Sequence, residues 1–125
     1  QKRDPAASIQ PVCTSTAEET AAAIADAEIV IAAGAAGVEL LSADVRRSAK
    51  SLKVVIDLNA VPPAGIAGVE VMDKGKERDG VVCFGAIGVG GTKMKIHRAA
   101  LRKLFQANDQ VLDTAAIYKI GETLV

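Results

Sequence analysis

The sequence predicts an α/β fold with a mainly parallel sheet and flanking helices, on three observations. Short β-type apolar runs alternate with helix-patterned segments along the 125 residues. Those runs are continuous rather than alternating with polar residues, as in strands covered on both faces. The apolar half of the chain is mostly Ala, Val, Ile and Leu, with only Phe84, Phe105 and Tyr118 as aromatics, a composition suited to a sheet packed on alanine-rich helices.

In chain order, Ser8–Cys13 is read as a short strand that Pro11 confines to an edge or a strand end, because proline offers the ladder no donor. Thr16-Ala17-Glu18-Glu19 is a capping-box pattern opening a helix to about Asp26. Glu28–Ala33 is the next strand and should be buried on both faces. Gly34-Ala35-Ala36-Gly37 ends it with small residues. Ser42 and Asp44 start a short helix with Arg46, Arg47 and Lys50 toward its end, where the macrodipole favours cations.

Lys53–Asn59 is a strand that puts Val55, Asp57 and Asn59 on one face and Val54, Ile56 and Leu58 on the other. Ligands of open α/β sheets bind beyond the carboxyl ends of the strands, which makes Asp57 and Asn59 candidate contacts. Turn chemistry accounts for Asp57 equally well. Val61-Pro62-Pro63-Ala64-Gly65 is a rigid turn, Val69–Met72 a candidate short strand and Asp73–Gly80 a solvated loop. The strands Glu28–Ala33, Lys53–Leu58 and Val81–Phe84 should lie side by side in that order.

After Phe84 the glycines Gly85, Gly88, Gly90 and Gly91 read as a loop, followed by a helix from about Thr92 with Met94, His97, Leu101, Leu104 and Phe105 on one stripe. On that reading Lys93 and Lys95 occupy a helix N-terminus, against the dipole, and mark a site for an anion or developing negative charge. No nucleotide motif is completed. Gly91-Thr92-Lys93 reverses the Lys-Ser/Thr order of a Walker loop, and Lys93 stands where a dinucleotide fingerprint needs its third glycine. Asp113 should cap a last helix that turns Ile117, Ile120 and Leu124 inward, weakened by Gly121.

The length allows one domain, 1–125. Fifteen basic and fifteen acidic residues cancel, so neither a nucleic-acid footprint nor a polybasic membrane patch is indicated. Cys13 and Cys83 are read as reduced, buried thiols. With one histidine they supply no zinc set, and no metal is expected. His97, on the apolar stripe, is read as a partly buried, hydrogen-bonded structural residue. With no membrane-length apolar run or secretory signal, a cytoplasmic protein is expected. A start at Gln1 points to a fragment, a processed product or an incomplete chain.

The segments AAGAAGVELL (32–41), IDLNAVPPAGIAGVE (56–70), MDKGKERDG (72–80) and FGAIGVGGTKMKIHRAALRKLF (84–105) resemble the C-terminal part of NADP-dependent methylenetetrahydromethanopterin dehydrogenases, some of which also act on methylenetetrahydrofolate. The similarity extends to VLDTAAIYKI near the end of the chain. It implies a Rossmann-type NADP domain lacking its first two strands and its pyrophosphate fingerprint, and hydride transfer from the methylene carbon of a reduced pterin to the nicotinamide. It further implies Lys93 as the active-site lysine, Ala33, Gly34 and Ala35 as the loop along the nicotinamide nucleotide, and Asn59-Ala60 as the turn near the nicotinamide. The intact enzyme is expected to be a homo-oligomer, and the isolated fragment inactive. Two other readings remain open on the residues alone: a non-catalytic Rossmann-like subunit or interaction module, and a phosphate-binding ATPase-like module built on the glycines and lysines after Cys83.

Overall fold

The computed structural model describes residues 5–124. Helix α1 (Ala17–Ile24) begins on the expected capping box, with the Thr16 hydroxyl accepting from Glu19 N and the Glu19 carboxylate from Thr16 N. Strand β1 (Ile29–Ala32), helix α2 (Ala43–Ser48, with Ser42 as its N-cap) and strand β2 (Val54–Asp57) form a parallel β-α-β unit. Strands β3 (Lys74–Arg78) and β4 (Val81–Phe84) follow, then the long helix α3 (Ala86–Leu104) and α4 (Thr114–Glu122), capped by Asp113.

The sheet order is β1-β2-β4-β3. Its first three strands are parallel and sit in the order expected of the three apolar runs. The fourth is a departure from the sequence reading: residues expected to be a solvated loop form β3, antiparallel to β4. Asp79 and Gly80 both have positive φ, 52° and 76°, the geometry of a two-residue hairpin turn that twists with its strands. Gly75, at φ 74°, sits where the β3 register shifts. The hairpin tip is tied to α2 by Arg46, which is buried, pairs with Asp79 at 2.6 Å and carries one helical residue's charge into the core.

One face of the sheet carries the core. Val30, Ala32, Val55, Val81 and Cys83 pack with Ala21 and Ile24 of α1, Val45 of α2, and Ala49, Leu52, Ile66 and Val69. The alternation read in β2 holds, since Val55, Asp57 and Asn59 are all buried while Leu58 on the opposite face is exposed. β1 departs from the reading: Ile29 and Ile31 are 59% and 57% exposed, so this strand is covered on one face only. Among the described residues it is also the last strand on its side of the sheet.

Two expected strands do not form. Ser8–Cys13 has no ladder partner and is exposed, Cys13 included, because nothing described lies alongside it to accept its apolar side chains. Val69–Met72 is a turn-containing link, its direction fixed by the Asp73 carboxylate, which accepts from Glu70 N. Cys83 is buried as expected, and burial pushes its thiol pKa up.

Candidate functional site

The glycines after Phe84 do not form a loop. Helix α3 starts at Ala86, so Gly88, Gly90, Gly91 and Thr92 are helical and Lys93 lies about two turns in rather than in the first turn. Tertiary contact overrides the helix-breaking tendency of these glycines. A Cβ on Gly85 would lie 2.0 Å from Glu70 O, and one on Gly88 1.9 Å from Asp73 O. The helix start can therefore press directly on the 70–73 backbone. Gly85 N donates to Asp73 O at 2.9 Å, and Ile87 N and Gly88 N donate to Val71 O at 2.8 and 3.2 Å. These orphan donors of the helix N-terminus are thus satisfied by the protein's own carbonyls. The anion site inferred from two lysines at a helix start is overturned, and with it the phosphate-binding module.

Lys93 is exposed and lines a cleft of about 420 Å³ with Val89, Thr92, Ile96, His97, Ala100 and Ile117, between α3 and α4. The cleft is mostly apolar because Val89, Ile96, Ala100 and Ile117 line it; beside it α4 crosses α3 closely at Gly121, where a Cβ would lie 3.2 Å from Ile96 Cδ1. Gly121 therefore permits a helix contact, whatever it costs in propensity. His97 is exposed, with no hydrogen bond to another described residue, so its reading as a partly buried structural histidine fails. The Met94, Leu101, Leu104 and Phe105 stripe also faces outward, and Phe105 is 89% exposed.

The other candidate residues gather at the carboxyl ends of β1 and β2. Ala33, Gly34 and Ala35 follow β1, Asn59 and Ala60 follow β2, and Ala32 pairs with Asp57 in register. The two loops interlock. Gly65 O accepts from Leu40 N at 2.8 Å and Leu41 N at 3.0 Å, and Gly34 lies against the Leu40 side chain. Ala33, Gly34, Ala35 and Ala60 are exposed. The Asn59 side chain turns inward and is buried, so what this turn offers outward is backbone and Ala60. Asp57 Oδ1 accepts from Asn59 N and Oδ2 from Ile66 N, each at 2.9 Å. That is the turn role, and it uses both carboxylate oxygens.

The structure thus brings together Ala33, Gly34, Ala35, Asn59 and Ala60, and it places Lys93 in a cleft that shares no residue with them. Among the described residues no group of three or more His, Cys, Asp or Glu could hold a metal ion, and no helix is long and apolar enough to cross a membrane. The reading of the sequence missed a second polar cluster. Asp73 is buried and takes two hydrogen bonds from the Arg78 guanidinium, at 2.8 and 2.9 Å, which hold its carboxyl below its usual range despite burial. Its signal was the Asp-Gly pair at 79–80, a hairpin marker that places Arg78 back beside Asp73.

Two curated proteins of Methylorubrum extorquens match the chain. It is 44% identical to the bifunctional protein MdtA over 87% of its own length, and 41% identical to the NAD(P)-dependent methylenetetrahydromethanopterin dehydrogenase over 83%. The chain is related to methylenetetrahydromethanopterin dehydrogenase. It spans 40% of the first relative and 36% of the second, so the likeness to the dehydrogenase concerns just over a third of that protein. No family model matches the chain. The four-stranded, mostly parallel sheet with flanking helices is the α/β arrangement that the resemblance to the dehydrogenase implied.

Proposed function

We propose that this chain is part of an NADP-dependent oxidoreductase of one-carbon metabolism, which moves a hydride from the methylene group of a reduced pterin, methylenetetrahydromethanopterin or methylenetetrahydrofolate, to the nicotinamide. The observation that carries the reading is the identity above 40% to two proteins, one of them named as an NAD(P)-dependent methylenetetrahydromethanopterin dehydrogenase. The rim at the carboxyl ends of β1 and β2 fits a dinucleotide: Ala33, Gly34, Ala35 and Ala60 are exposed and carry nothing beyond Cβ, so a flat ring can approach the backbone closely. When bound, NADP supplies the hydride acceptor.

The chain's own residues bind and orient. Ala33, Gly34 and Ala35 support the nicotinamide nucleotide, and the Asn59-Ala60 turn borders the nicotinamide. Lys93, an exposed ammonium beside an apolar cleft, orients polar groups of the pterin and stabilises charge near the reacting carbon without exchanging a proton. Hydride transfer itself needs no general base.

Lys93→Ala tests this in the protein expressed from its natural reading frame. Turnover should fall by roughly 10²-fold, the scale for one electrostatic stabiliser. The melting temperature should hold, because Lys93 is exposed and has no ion pair or hydrogen bond to another described residue. An unchanged kcat removes Lys93 from the chemistry.

A further inference from the structure

Asp57 is buried, yet it forms no ion pair among the described residues. A buried carboxylate without a counter-charge is costly unless hydrogen bonds compensate it, and here both oxygens are taken by backbone amides. Because those amides belong to Asn59 and Ile66, one side chain pins both ends of the segment that carries the Asn59-Ala60 turn and the two prolines. Gly65 closes the same arrangement from above. A Cβ there would lie 2.5 Å from Asn59 Nδ2, 2.8 Å from Asp57 Oδ1 and 3.3 Å from Ala32 Cβ. The Asn59 amide is held in this space even though its Nδ2 finds no acceptor. Retention of an unsatisfied buried donor calls for an explanation, and the shape of the turn supplies one.

We propose that Asp57 and Gly65 are positioning residues, which keep the buried Asn59 side chain under the 65 backbone and so set the Ala60 backbone at the height required by the nicotinamide half of the dinucleotide. This rests on the dinucleotide reading above. Neither residue touches the cofactor. Both act through the turn.

The test uses two ligands on the protein from its natural reading frame: NADP, and adenosine 2′,5′-bisphosphate, which retains the adenine half and lacks the nicotinamide. Gly65→Ala adds one methyl group against the Asn59 amide and the Asp57 carboxylate. It should weaken NADP about tenfold and leave the bisphosphate unchanged. Asn59→Ala, which empties the space without adding an atom, is the second variant and should show the same selective loss if the first does not fold. Melting temperatures taken alongside place each titration below unfolding. Unaltered NADP binding by both variants, or equal loss of both ligands, overturns the positioning role alone. Failure of the unsubstituted protein to bind NADP overturns the dinucleotide reading, and the positioning role with it.

Discussion

Gly88→Ala tests whether the start of α3 is held by backbone contact rather than by a ligand. The added Cβ would lie 1.9 Å from Asp73 O, and ordinary contact begins at 3.4 Å, so helix and link must part by about 1.5 Å. Three hydrogen bonds span that seam, from Gly85, Ile87 and Gly88 to the carbonyls of Asp73 and Val71. At about 1 kcal/mol net each, their loss costs roughly 3 kcal/mol. Alanine in a helix returns about 1 kcal/mol of that. The net of about 2 kcal/mol lowers the melting temperature by roughly 8 °C for a chain of this length. Gly90→Ala is the internal control: nothing lies within 4 Å of its Cβ position, so only the propensity gain remains and the melting temperature should rise by roughly 4 °C. Thermal unfolding followed by circular dichroism reads both. A Gly88→Ala protein as stable as its parent would refute the seam.

The two thiols should differ sharply. In the folded protein Ellman's reagent titrates Cys13, which is exposed, while Cys83, buried and with its pKa pushed up, reacts only on unfolding; fast reaction of both disproves the burial. Asp73 predicts an acid limit to stability. Its folded pKa lies below the usual 3.8, so its contribution is present above about pH 4 and is lost as pH falls through the folded value. Arg78→Gln removes the main cause of that depression, so the variant should be less stable at neutral pH and its acid fall in melting temperature shallower, the two curves converging as pH drops. Parallel curves for parent and variant would exclude the Asp73–Arg78 pair as the source.

The three parallel strands were legible because β1 and β4 are uninterrupted apolar runs and β2 is one up to Asp57, and the two faces of β2 followed from period-two alternation. β3 was not, since Lys74, Lys76, Glu77 and Arg78 make a polar strand whose place depends on pairing with β4. The helix start was misread because Gly88, Gly90 and Gly91 each disfavour a helix locally, and the 70–73 carbonyls that require Gly85 and Gly88 are invisible in a linear pattern. His97 went the other way. Its place on an apolar stripe implied burial, but His97 lines the open cleft beside α4 and is exposed there. Of the candidate site, the strand-end position of Asn59 came from alternation and general rules of α/β sheets. Lys93 came from family likeness once its supposed place in the first helical turn was lost.

The hairpin strand β3 also governs how such molecules can associate. It closes one side of the sheet with an antiparallel, lysine-bearing strand, and charged edge strands of this kind resist further pairing. On the opposite side, β1 has no strand beside it among the described residues, and Ile29 and Ile31 are exposed on one face. Within these strands the sheet can therefore gain a further strand at β1 and not at β3, so it can be extended in one direction only.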